Sequence, residues 1–97
     1  EWPSARAKHW EILLKARAIE NQMYVISCNR CGSTSEESFD GGSLVIDPWG
    51  EVLLNAGSKE GLYFTNIDPN KVVEARTKVP VFKDRVPALY SHIIKEV

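Results

Sequence analysis

The feature that most constrains this chain is residues 8–27, where a long helix is predicted to lead into a strand without a loop. Its apolar residues form two helical stripes. The first is Trp10, Leu13, Leu14 and Ala18, and the second is Ile12, Ala16, Ile19 and Met23. A helix that covers one sheet needs only one such stripe. The sequence therefore predicts that this helix is contacted from two directions, the second by another subunit or by another part of the same protein.

Local signals place the remaining elements around this stretch. Ser4 is predicted to cap a helix from Ala5 to Gln22, followed by a strand over Met23 to Cys28 and a polar loop over Asn29 to Ser38. The other predicted elements are strands at 44–47, 51–54 and 62–67, a type I turn at 47–50, helices at 70–77 and 88–94, and an irregular segment with two prolines at 79–87. This order predicts an α/β, layered α+β domain. Residues 44–46 and 52–54 are apolar on both faces, which predicts a second covering layer.

Composition narrows the class of protein. The chain has 97 residues, of which 43% are hydrophobic and 26% charged, with a net charge of −1. This balance gives no electrostatic reason to expect nucleic acid or an anionic membrane as a partner. No apolar run approaches the roughly 20 residues that span a bilayer. Two cysteines are too few for a secreted disulfide framework, so a cytoplasmic location is expected. The start at Glu1 suggests a piece of a longer protein.

Cys28 and Cys31 have the C-x-x-C spacing. The pair could be a redox motif, half of a zinc site, or a nucleophile served by His9. A redox pair normally starts a helix, where the thiol pKa is lowered, and a zinc site needs further ligands. The favoured interpretation is two free cysteines at the end of a strand, with His9 exposed or in an interface. No metal and no cofactor are expected.

Two other features have structural interpretations. Glu20 lies in the last turn of the helix, where the macrodipole disfavours a carboxylate, so it needs a partner such as Arg17. Gly41 and Gly42 could cradle a phosphate, but without a following helix they more simply predict a turn or bulge before the strand. The residues alone therefore contain no complete catalytic set.

Several motifs occur in the order and spacing of a known family. They are Trp2-Pro3, His9-Trp10, Arg17-Ala18-Ile19-Glu20-Asn21-Gln22, Asn29-Arg30, Phe39-x-Gly41-x-Ser43, Asp47-Pro48-Trp49-Gly50 and Val81-Phe82-Lys83-Asp84-Arg85. Across essentially all 97 residues the sequence resembles the C-terminal half of carbon–nitrogen hydrolases, the nitrilase superfamily. The beginning and the Pro-Val-Phe-Lys-Asp-Arg segment look most like the bacterial branch related to omega-amidases.

The resemblance implies half of a four-layer α-β-β-α sandwich, in which residues 1–97 are the C-terminal portion of one domain. It also implies a Glu base, a Lys at the oxyanion and a Cys nucleophile that forms a thioester. All three would lie upstream of Glu1, so this chain alone is expected to be inactive. The upstream half of the same protein would be its partner.

The resemblance also assigns roles to residues of this chain. Trp2, Asn29 and Phe39 would contribute to the substrate pocket, and Arg17, Glu20 and Asn21 would support it structurally. The helix around Lys8 to Gln22 would form a homodimer interface. The expected substrate is a small amide, such as a 2-oxo acid or dicarboxylate monoamide. Alternatives are an N-carbamoyl amino acid amidohydrolase and an inactive relative that serves as a subunit or binding module.

Overall fold

The computed structural model describes residues 1–95, and of Lys95 only the backbone. A 3₁₀ turn at Ser4–Arg6 leads into helix α1, Ala7–Asn21. The predicted Ser4 cap is wrong, because the Ser4 hydroxyl donates to Asp40 Oδ1 at 2.6 Å instead of accepting from the first turn. The helix ends where Gln22 adopts a left-handed conformation (φ 48°), and its N–H bonds back to the last turn of α1. The long helix is thus confirmed, with a tighter first turn than predicted.

Three short strands, β1 (Val25–Ile26), β4 (Leu44–Ile46) and β5 (Val52–Asn55), form one antiparallel sheet. Their order in the sheet is β1-β4-β5. The Gly50 N–H donates to Asp47 O at 2.9 Å, which confirms the predicted turn between β4 and β5. The strand predicted at 23–28 is shorter than expected, because of these residues only Val25 and Ile26 pair with β4.

Two predictions about the connections are wrong. The expected loop at 29–38 contains a hairpin of β2, Cys31–Ser33, and β3, Ser38–Asp40. A Thr34 hydroxyl that accepts from the N–H groups of Glu36 and Glu37 closes its tip. Conversely, residues 62–67 are not a strand. Strands need a hydrogen-bonded neighbour, and among residues 1–95 this segment pairs with none.

Helix α2, Asn70–Lys78, begins as predicted after Asp68, whose Oδ1 accepts from the Asn70 N–H at 3.0 Å. Gln22 is hydrogen-bonded to the C-terminal end of α2. The Gln22 side-chain Nε2 donates to Ala75 O at 3.2 Å and to Val79 O at 2.7 Å. Helix α3, Pro87–Lys95, follows the proline-containing segment and extends the predicted helix at 88–94 by one residue at each end.

The hydrophobic core is small and lies between α1 and the sheet. Ala18, Leu44 and Ile46 are buried, with Trp10 and Leu14 packed partly against them. The second stripe of α1 is not covered: Ile12 is 55% and Ile19 53% exposed, and Met23 is also exposed. Leu13 of the first stripe is also 42% exposed, so the sheet covers only part of that stripe. The predicted contact on the second stripe stays a prediction.

Global dimensions agree with an open layer. The radius of gyration is 17.2 Å, and the thinnest dimension is 16 Å. A compact domain of this length has a radius of gyration of about 12–13 Å. The accessible surface of 7335 Å² compares with about 5600 Å² for a compact monomer of this mass. Within residues 1–95, the chain does not close a self-sufficient core.

An ion pair between a buried carboxylate and a partly exposed lysine joins α2 to the sheet. Asp47 is fully buried, and its Oδ2 lies 2.8 Å from Lys71 Nζ. Its Oδ1 accepts from the N–H groups of Trp49 and Glu51 at 2.8 and 3.0 Å. Burial alone would raise the pKa of Asp47, but the bonds from Lys71, Glu51 and Trp49 outweigh it and lower the pKa. Conversely, Asp47 raises the pKa of Lys71.

Acidification is therefore expected to weaken this part of the fold. Because folding lowers the Asp47 pKa, its stabilisation is complete above the unfolded value of about 3.9 and is lost as the pH falls through the folded value. Chemical denaturation of the full-length protein at a series of pH values measures this loss. Asp47→Asn is expected to lower the free energy of unfolding by about 2 kcal/mol at neutral pH and to reduce its acid dependence. An unchanged acid dependence in that variant would contradict the assignment.

Candidate functional site

The Gly41-Gly42 turn is the point where the segments of the candidate site meet. Both glycines have a positive φ, +70° and +73°. The Gly41 N–H donates to Arg30 O at 3.1 Å, and the Gly42 N–H donates to Gly57 O at 2.9 Å. Both donors are therefore used within the fold. The turn interpretation is confirmed, and the phosphate cradle is wrong because it needs these N–H groups free.

Asn29, just beyond β1, connects this turn to the beginning of the chain. Its Oδ1 accepts from the Trp2 N–H at 2.9 Å, and its Nδ2 donates to Trp2 O at 3.1 Å and Gly41 O at 2.9 Å. Its backbone N–H donates to Ser43 Oγ at 2.9 Å. The structure thus brings together two of the three predicted pocket residues, Trp2 and Asn29.

Two tryptophans form an aromatic wall beside this network. The ring centroids of Trp2 and Trp10 are 5.7 Å apart, with the planes tilted by 50°. The Arg6 guanidinium lies 4.1 Å from the Trp2 ring centroid, within the range of a cation–π contact. The Trp10 indole N–H donates to Gly42 O at 2.8 Å. Sequence reasoning missed this anchor, although a partly buried tryptophan usually needs an acceptor for its N–H.

A cavity of about 120 Å³ lies between this wall and the turn. Its lining includes Trp2, Trp10, Asn29, Gly41 and the carboxylate residues Glu11 and Asp40. Small-molecule sites in proteins usually enclose about 300–1,000 Å³. The cavity is therefore smaller than a typical small-molecule site.

Phe39 does not line this cavity. It lies in β3 with only 6% of its surface exposed, and the Arg30 guanidinium covers its ring at 4.5 Å from the centroid. Arg30 in turn pairs with Glu1 at 3.2 Å. Phe39 thus packs inside the β2–β3 hairpin in this chain, whereas Trp2 and Asn29 face the cavity.

The three predicted support residues gather at the C-terminal end of α1, away from the cavity. Arg17 and Glu20 form an ion pair through Nη1 and Oε1, as the sequence predicts. Asn21 Nδ2 donates to Arg17 O at 3.0 Å, and Asn21 O accepts from Arg76 Nη2 at 3.3 Å. The ion pair is exposed, so it contributes at most about 1 kcal/mol. The link between α1 and α2 is made instead by the bond from Arg76 to Asn21 O.

The two cysteines and His9 form neither a disulfide nor a metal cluster among the residues described. Cys28 is exposed and Cys31 is half-buried in β2, and both are free thiols, as the favoured interpretation predicts. His9 is exposed on α1. Among residues 1–95, no cluster of three His, Cys, Asp or Glu side chains could hold a metal ion. In the same range, no helix is long and apolar enough to cross a membrane.

Comparison with known proteins identifies the family to which this chain belongs. The family model for carbon–nitrogen hydrolase matches residues 1–77. The chain belongs to the carbon–nitrogen hydrolase family. It is 49% identical over 90 residues to 2-oxoglutaramate amidase of Bacillus subtilis, covering 93% of this chain and 35% of that protein. It is 39% identical over 90 residues to omega-amidase NIT2 of Homo sapiens, covering 91% of this chain and 32% of that protein.

The fold agrees with this membership. The carbon–nitrogen hydrolase chain superposes on the crystal structure of a CN-hydrolase superfamily protein from Xanthomonas campestris with a TM-score of 0.83 and 37% identity. The alignment covers 89% of this chain and 33% of that one. The predicted α/β class and the resemblance to the omega-amidase-like branch are thus confirmed. The chain spans about a third of the length of these relatives.

Proposed function

We propose that this chain is the C-terminal part of an amidase that hydrolyses the linear C–N bond of a small 2-oxo acid or dicarboxylate monoamide and releases ammonia. The observation that carries the proposal is the 49% identity to 2-oxoglutaramate amidase over 93% of the chain. A second relative, omega-amidase NIT2, is also named as an amidase. No cofactor enters the proposed reaction.

In the proposed mechanism, residues upstream of Glu1 supply the Glu base, the Lys and the Cys nucleophile. The thiolate attacks the amide carbon, ammonia leaves, and water then hydrolyses the thioester. This chain contributes the wall of the pocket at Trp2. Two observations support that role: the cavity opens beside Trp2, and its volume of about 120 Å³ is smaller than that of a typical small-molecule site. The proposed location is the cytoplasm.

We also propose that the whole protein is a homodimer through α1. The exposed second stripe supports this, since Ile12 and Ile19 are each more than half exposed. Beside it lies a hollow of about 260 Å³ lined by Ile19, Trp49 and Val81. Exposed apolar patches of this kind mark interaction surfaces. The sedimentation mass of the full-length protein, with Ile19→Glu as the disrupting variant, tests the interface.

An ammonia-release assay of the full-length protein tests the activity. We expect release from 2-oxo acid amides and dicarboxylate monoamides, with none from the 97-residue chain alone or from a variant in which the upstream nucleophile is replaced by alanine. The substrate panel should also contain carbamoyl amino acids and nitriles. Release of carbon dioxide together with ammonia would favour an N-carbamoyl amino acid amidohydrolase. No release from any compound would favour an inactive subunit or binding module.

A further inference from the structure

The side chain of Asn29 is bonded only to backbone atoms, and these belong to two segments far apart in the sequence. The pair Trp2–Asn29 is 27 residues apart, and the pair Asn29–Gly41 is 12 apart. Both hydrogens of Nδ2 are used, one on Trp2 O and the other on Gly41 O. No donor of this side chain is therefore left for a substrate. A contribution of Asn29 to the pocket would therefore be made through the backbone atoms that it holds.

The Asn29 side chain bonds to three backbone atoms, and only a carboxamide of this length can bond to all three. Two carbonyl oxygens face Nδ2 and one N–H faces Oδ1. Exchanging the oxygen and nitrogen would place donor against donor and acceptor against acceptor, so the network fixes the orientation of the amide. An aspartate has the same shape, but when ionised it has no hydrogen for either carbonyl.

The two tryptophans of the wall are tied to the same turn. Trp10 bonds Gly42 O directly through its indole N–H. Trp2 reaches Gly41 O through the amide of Asn29. The rings contact each other with centroids 5.7 Å apart. Asn29 therefore fixes the backbone of Trp2 relative to the turn, while the Trp2 indole N–H donates to Arg6 O at 2.5 Å.

We propose that Asn29 is a positioning residue, which holds the backbone of Trp2 against the Gly41-Gly42 turn and thereby fixes the aromatic wall of the substrate pocket. The inference rests on the proposed amidase function, because it assigns the wall to a substrate. It distinguishes two roles for the same side chain. A residue that binds substrate equally in ground and transition states changes KM, whereas loss of alignment lowers kcat.

The test compares Asn29→Ala and Asn29→Asp with Ser27→Ala in the full-length protein. Ser27 is a matched control because its hydroxyl donates to Leu44 O at 3.1 Å and accepts from the Leu44 N–H at 3.0 Å, without touching Trp2 or the glycine turn. We expect Asn29→Ala to lower kcat by about 10- to 100-fold, the range that misplacement of a bound substrate produces, with a much smaller change in KM. Asn29→Asp is expected to be at least as impaired. Ser27→Ala should lower Tm by about 2–4 °C without lowering kcat.

A second readout follows Trp2 without any substrate. In protein labelled with 5-fluorotryptophan, the fluorine NMR signal of Trp2 is assigned by its loss in Trp2→Phe. We expect this signal to shift or broaden in Asn29→Ala and to remain in place in Ser27→Ala. An unmoved Trp2 signal in Asn29→Ala would overturn the positioning role, as would a change in KM alone. If the wild-type protein hydrolyses no amide, the proposed function fails, while the Trp2 signal still decides whether Asn29 holds Trp2.

Discussion

The 97-residue chain expressed alone will aggregate or remain molten rather than unfold in a sharp, cooperative transition. Leu62 and Phe64 are 87% and 85% exposed, and the second stripe of α1 is also open to solvent. Few apolar side chains are buried enough to offset the conformational entropy of ordering the chain, about 1–2 kcal/mol per residue for the backbone alone. The exposed residues will instead drive association between chains.

Size-exclusion chromatography, near-ultraviolet circular dichroism and binding of a hydrophobic dye measure this outcome. We expect aggregates, or a species with helical signal, weak aromatic signal and strong dye binding, as molten states show. The full-length protein is the control and should show a fixed aromatic spectrum. A monomeric chain with a sharp thermal transition would contradict the interpretation that these layers need further polypeptide to cover them.

Gly41→Ala is expected to be the most damaging single substitution at the candidate site. The positive φ of Gly41 strains any residue with a side chain, at a cost of about 1–3 kcal/mol. A Cβ at this position would also lie 2.7 Å from Gly57 O, a backbone atom that cannot move aside as a side chain can. We therefore expect the free energy of unfolding to fall by about 3 kcal/mol. Denaturant unfolding of the full-length protein measures the loss.

Gly57→Ala is the matched control for this prediction. Gly57 also has a positive φ, +65°, but a Cβ there would meet no atom within 4 Å. It should therefore show the conformational cost alone, about 1–2 kcal/mol. Because Gly41 O is also an acceptor of Asn29 Nδ2, Gly41→Ala should lower amidase activity as well. Equal destabilisation by the two substitutions would show that the close approach to Gly57 carries no energetic weight.

Local signals predicted most features whose stabilising interactions span only a few residues; the Ser4 cap is an exception, because its hydroxyl bonds the distant Asp40 instead. The two stripes of α1, the turn at Asp47–Gly50 and the start of α2 after Asp68 were all predicted, because helical periodicity and turn hydrogen bonds relate residues at most one or two turns apart. The family was also readable from the motifs, since their order and spacing persist in the primary structure. The ion pair of Arg17 and Glu20, three residues apart, belongs to this class.

Only the tertiary structure decided how these elements combine into a site. The bonds of Asn29 to Trp2 and Gly41, and the ion pair of Asp47 with Lys71, join residues that no periodic pattern relates. Tertiary context also decided the two wrong predictions about the connections: a polar segment became the β2–β3 hairpin because its backbone found an antiparallel partner, and residues 62–67 form no strand because theirs did not. The amino-acid sequence thus determined which segments are apolar and where they turn. Their pairing was decided by hydrogen bonds that form only after distant segments have been brought together.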